Sequence, residues 1–202
     1  MYVCALIISN WSITKLYEFL TDYLNAATSD ILYSKIEKYK NKNGVLKDSN
    51  KTLFLLSKKL FDAAIEEGLH MPQLGLDFRI SEFTLNAKYY PYEGYTGNLF
   101  LNVPKFLSVK EVETFINDRF KTFAMAGLLP KDSHTLKIPL ESRTTGEHKG
   151  FLICNFAEEV DIKSRTLVKI LLQNSFICRH EGEEHVLPVL WARKQEVKTR
   201  FG

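Results

Sequence analysis

The octapeptide Lys149–Phe156, Lys-Gly-Phe-Leu-Ile-Cys-Asn-Phe, constrains the fold more than any other segment of this chain. Alternate residues of a strand point to opposite faces. Phe151, Ile153 and Asn155 therefore share one face, and Leu152, Cys154 and Phe156 the other. With the second set in the core, Phe151 stands on an uncovered sheet. A ring facing solvent adds little stability, but a flat ring there can stack on an unpaired base.

The flanking segments supply a context. Leu99-Phe100-Leu101-Asn102-Val103-Pro104 reads as a partner strand with Phe100 outward between two inward leucines. Ser108 to Glu111 reads as a capping box. It starts a helix whose Val109, Val112, Phe115, Ile116 and Phe120 recur at helical spacing. Thr135–Ser142 predicts a second strand, Ile162–Ser175 an amphipathic helix after Asp161, and His185–Arg193 a fourth strand. Pro139 and Pro188 fit only edge strands, because proline cannot donate to a ladder.

In this order and spacing, residues 97–195 resemble an RNA recognition motif, with Lys149–Phe156 laid out like its RNP1 strand. The resemblance implies a βαββαβ domain whose Phe100 and Phe151 stack bases. Lys149 would contact phosphate, and Asn102 and Asn155 would read base edges. Ile153 stands where a further ring is usual. Lys137, Arg143, His148 and Arg193 would line the phosphate path.

The first ninety residues read differently. Ser12 caps a helix carrying Ile13, Leu16, Leu20, Tyr23 and Leu24, and Ser29-Asp30 opens another with Ile31, Leu32, Ile36 and Tyr39. Lys40–Gly44 is a polar turn. Leu53–Leu56, Leu60, Phe61, Ala64 and Ile65 continue the helical pattern to Gly68. Leu76–Ile80 alternates like a strand, and Phe83–Lys88 is expected to pair with it. Helices before a short ribbon predict a winged-helix domain over residues 1–90. A Tyr-rich linker follows at 91–96, and a basic tail at 196–202. The linker tyrosines serve either interdomain packing or base stacking.

Leu16–Asn25, followed by Asp30-Ile31-Leu32, is similar to the hallmark helix of the La motif, and Gly44-Val45-Leu46 resembles a later turn of it. With the RNA recognition motif behind it, the chain resembles a La module with a degenerate La motif. A degenerate La motif beside an RNA recognition motif resembles La-related protein group seven and its telomerase-associated fungal branch. The resemblance implies a La-motif-like site at Lys15, Phe19, Asp22 and Asp30. It also implies a role in holding and stabilising a small non-coding RNA, such as telomerase RNA, during ribonucleoprotein assembly. The fold class expected is thus α+β, a helical winged-helix-like domain before a βαββαβ domain.

Length and composition permit this. The chain has 202 residues, 45% hydrophobic and 25% charged, with net charge +3. That is room for one large or two small domains. The modest charge allows nucleic-acid binding without demanding it. Met1–Ser9 is apolar but too short to span a bilayer, and no basic residue precedes it as in a signal peptide. No membrane association is expected. Three widely spaced cysteines make no disulfide framework. They suit a reducing nuclear or cytoplasmic setting.

Cys178, His180 and His185 lack the spacing of a tetrahedral zinc site and predict a loop before the fourth strand. No phosphate loop, nucleophile elbow or kinase signature occurs. Neither enzyme activity, a cofactor nor a metal is expected. Two other readings stand beside RNA stabilisation. One is a scaffold whose sheet or first domain binds ribonucleoprotein subunits. The other is a splicing-type RNA recognition motif protein whose first ninety residues are unrelated to La; lack of a winged helix there would favour it.

Overall fold

The computed structural model describes residues 2–68, 79–83, 85, 87–175, 177–186 and 188–194. For 82, 174–175, 177–180 and 183–186 it describes the backbone alone. The chain divides into two compact units, Met1–Thr84 and Leu85–Gly202. Among the described residues no helix is long and apolar enough to cross a membrane.

The first unit comprises β1 (Tyr2–Ile8), α1 (Ile13–Glu18, running on through a π turn at Phe19–Tyr23), β2 (Ile31–Lys40), β3 (Leu46–Ser57), α2 (Lys58–Glu67) and β4 (Arg79–Glu82). The sheet order is β2-β3-β1-β4, antiparallel throughout. This is a βαββαβ unit and not the helical winged-helix domain expected of residues 1–90. Ala5, Ile7, Phe54 and Leu56 from the sheet close on Leu16 and Leu20 of α1 and Leu60, Phe61 and Ala64 of α2.

The helix-like spacing of residues 31–39 has a local cause. The β2–β3 register shifts between Ile31 and Tyr33 and again between Ile36 and Lys38. Each irregularity breaks the period of two, and the resulting 31, 32, 36, 39 spacing imitates a helix. Asp30 does not cap one. Its carboxylate accepts the Ala27 amide at 2.9 Å and the Ser57 hydroxyl at 2.7 Å. The following turn suits a hairpin. Gly44 takes φ +77°, and the Asn41 side chain accepts the amides of Asn43 and Val45, each at 2.9 Å. Leu53–Leu56 are buried on both faces of β3, a continuous apolar run that periodicity cannot tell from a helix.

Of the segment read as a ribbon, residues 76–78, 84 and 86 lie outside those described. Its described part differs from expectation. β4 pairs with β1, with Ile80 opposite Ile7, and Ala87–Tyr89 is a 3-10 turn.

The second unit comprises β5 (Tyr95–Asn102), α3 (Val109–Met125), β6 (His134–Lys137), β7 (Phe151–Phe156), α4 (Ile162–Ser175), β8 (Ile177–His180), β9 (Glu183–Val186) and β10 (Val189–Arg193). The main sheet runs β10-β5-β7-β6, the same order as in the first unit. The β5–β7 register sets Leu99 against Cys154, Phe100 against Ile153, Leu101 against Leu152 and Asn102 against Phe151. The capping box forms: Glu111 N–H donates to Ser108 Oγ at 3.1 Å, and Ser108 N–H to Glu111 Oε2 at 2.7 Å. Asp161 caps α4 through the Ser164 amide at 2.7 Å.

The boundaries differ at both prolines. β6 stops at Lys137, and beyond it only an isolated bridge joins Leu140 to His148. Pro139 lies outside the strand, its carbonyl accepting the Lys149 amide at 2.9 Å. The fourth sheet strand begins after Pro188, while β8 and β9 form a hairpin where a loop was expected. The two strand limits, at Lys137 and at Val189, follow from the donor that proline lacks.

Candidate nucleic-acid interface

The helices cover the Cys154 side of the sheet. Phe156, on that side, lies with its ring centroid 5.8 Å from that of Phe120 in α3, and the Arg165 guanidinium of α4 sits 5.4 Å from its ring. Phe100, Asn102, Phe151, Ile153 and Asn155 therefore share the opposite face, as the alternation predicts. Phe100 and Phe151 are diagonal neighbours, with centroids 5.3 Å apart and planes 17° apart. With Ile153 and Ala192 they form an apolar cluster of their own.

These rings are not displayed to solvent, and that expectation is corrected. Phe100 is 6% exposed and Phe151 8%. Alternation fixes which face a side chain takes; tertiary packing decides whether that face is covered. The margins stay open. Asn102, Lys137, Lys149, Arg143 and Arg193 are exposed, Asn155 is half-buried, and Leu190, opposite Phe100, is 48% exposed.

His148 is corrected too. It is 3% exposed. Its Nδ1 accepts the Gly150 amide at 3.0 Å, so Nε2 carries the hydrogen and donates to the Leu107 carbonyl at 2.7 Å. Both ring nitrogens are engaged inside the protein, so the side chain pins the entry to β7 and does not reach a phosphate. Sequence reasoning missed Lys105, which donates to the His148 carbonyl at 2.6 Å and pairs with Glu141 at 2.5 Å. The hydrogen bond from Lys105 to Glu141, then the Lys105 and Lys149 charges, hold the Glu141 carboxyl below its usual range. No local sequence signal joins Lys105 to residues 36 and more positions away.

The tyrosine segment is fastened to β10. Trp191 Nε1–H donates to the Tyr89 carbonyl at 3.2 Å, and Lys194 N–H to the Gly94 carbonyl at 2.9 Å.

In the first unit, Lys15, Phe19 and Asp22 lie along one helical stretch. Lys15 Nζ stands 4.7 Å over the Trp11 ring. Phe19 meets Trp11 edge-on at 5.3 Å and stacks on Tyr23 at 4.8 Å. Asp30 is committed to the turn described above; the Ser57 and then the Ala27 hydrogen bonds keep its carboxyl below its ordinary value. On the face away from the helices, Cys4 and Leu6 of β1 meet Leu55 and Leu53 of β3. These central positions carry a thiol and three leucines where the second unit has Phe100 and Phe151.

Among the described residues, no group of three or more His, Cys, Asp or Glu is placed to hold a metal. The side chains of Cys178, His180 and His185 lie outside them.

No protein-family model and no curated protein matches the sequence. Solved structures similar to it include a Sxl-lethal protein/RNA complex, at 14% identity and TM-score 0.31 over 95% of this chain and 100% of that one. The first two RRM domains of the yeast poly(U)-binding protein give 13% and 0.31 over 95% and 99%. The Sex-lethal RNA recognition domains 1 and 2 of Drosophila melanogaster give 13% and 0.30 over 94% and 99%. Overlaps this loose assign nothing; the fold rests on strand order.

Proposed function

We propose that this chain is a non-catalytic RNA-binding protein whose second unit holds single-stranded RNA across the face of Phe100 and Phe151. The observation that carries this reading is the stacked ring pair on the sheet face opposite α3 and α4. Rings at that spacing offer consecutive bases a platform, while Asn102 and Asn155 supply polar groups for base edges. Lys137, Arg143, Lys149 and Arg193 supply cations for phosphates. Both rings are buried in the unbound chain, so a base stacks on them only once they are uncovered, and the bound state carries that cost. Phe100→Ala with Phe151→Ala removes two platforms, each worth roughly 1–3 kcal/mol. Affinity for single-stranded RNA should fall at least tenfold; an unchanged Kd with intact fold rejects the reading.

The first unit's βαββαβ order favours a protein with two such units, of the splicing type, over a La module. The finer reading of a small non-coding RNA such as telomerase RNA, in the nucleus, rested on the winged-helix likeness and loses that support. The scaffold reading keeps one specific support: Leu190, opposite Phe100 on the face away from the helices, is an apolar side chain 48% exposed. Steep loss of affinity with salt is the mark of phosphate contacts, and its absence would favour protein partners.

A further inference from the structure

We propose that the groove beside the β5–β10 edge is a second nucleotide site, taking further bases of the same single strand that the Phe100–Phe151 face holds. This rests on the RNA-binding reading. Clipped to β10, the tyrosine segment walls a groove of about 470 Å³ with Tyr89, Tyr90 and Tyr92, while β5 and β10 add Tyr95 and Trp191. Phe100 also lines it. One ring, Phe100, therefore belongs to both the stacked pair and the groove.

The charge in the groove selects the occupant. Three cations line it, each against a ring: Lys88 Nζ 5.0 Å from Tyr89, Lys169 Nζ 5.7 Å from Trp191 and Arg193 Cζ 5.7 Å from Tyr95. No carboxylate lines it among the described residues. Burial pushes the Lys169 ammonium below its ordinary pKa, and a phosphate beside it would favour its charged form. Flat apolar faces interleaved with cations, and no acid, match a chain of alternating bases and phosphates. Tyr92, 64% exposed, stands at the rim as a ready stacking surface.

The test uses the full chain with Tyr92→Ala and Lys88→Gln together. Both side chains are exposed, so the fold should survive, and circular dichroism checks it. Fluorescence anisotropy is measured with single-stranded RNA of about four and about twelve nucleotides. The groove variant should lose about tenfold affinity for the longer strand and none for the shorter, whereas Phe151→Ala should weaken both. Unchanged affinity of the groove variant for the longer strand, or equal loss on both lengths, overturns the second site. If Phe151→Ala leaves both lengths unaffected, the sheet reading falls instead.

Discussion

At the scale of single residues, two side chains expected to serve ligands prove to serve the fold. His148 satisfies the Gly150 amide and the Leu107 carbonyl within a buried site. His148→Ala orphans both, and an orphaned buried polar group costs about 1–3 kcal/mol. Urea unfolding should show a loss of that size; a variant of full stability that only loses RNA would restore the phosphate role. Asp30 carries a pH dependence. Its folded-state pKa lies below the ordinary 3.8, through Ser57 first and the Ala27 amide second. A depressed carboxyl stabilises the protein above its unfolded pKa, and this contribution is lost as pH falls through the folded value. Asp30→Asn should therefore be less stable than the parent at neutral pH, and the difference should shrink in melts taken below about pH 4.

At the scale of elements, legibility depended on whether the signal was local. The Ser108–Glu111 box was legible from four residues because both of its hydrogen bonds close within one turn. β2 was not, since its irregular register and its partner β3 lie outside any short window. Gly97 belongs to the same class. It sits in β5 at φ +75°, and a Cβ there would lie 3.3 Å from Ile162 Cδ1 of α4. The β5–β10 register shifts nearby, between Trp191 and Arg193. Gly97→Ala meets both backbone strain and crowding and should cost about 1–2 kcal/mol, read as a lowered urea midpoint with unchanged slope.

At the scale of the whole molecule, charge separates the functional readings. With net charge +3 the chain has no large general attraction for a polyanion. Affinity for RNA must then come from particular cations. Replacing Lys149 or Arg143 with Gln should weaken binding to different RNA sequences alike. Each should also reduce the slope of log K against log salt by roughly one contact. A slope that does not move removes that residue from the phosphate path.

The sequence alone determined the strand at Phe151–Phe156, its partner at Phe100, the helices on either side and the face each ring takes. All of these follow from backbone alternation and from caps completed within a few residues. Tertiary structure alone decided that residues 31–40 extend instead of coil, that both units share one strand order, and that the two rings are covered. Those outcomes depend on pairing and burial between segments far apart in the chain, and no short stretch of sequence contains both partners.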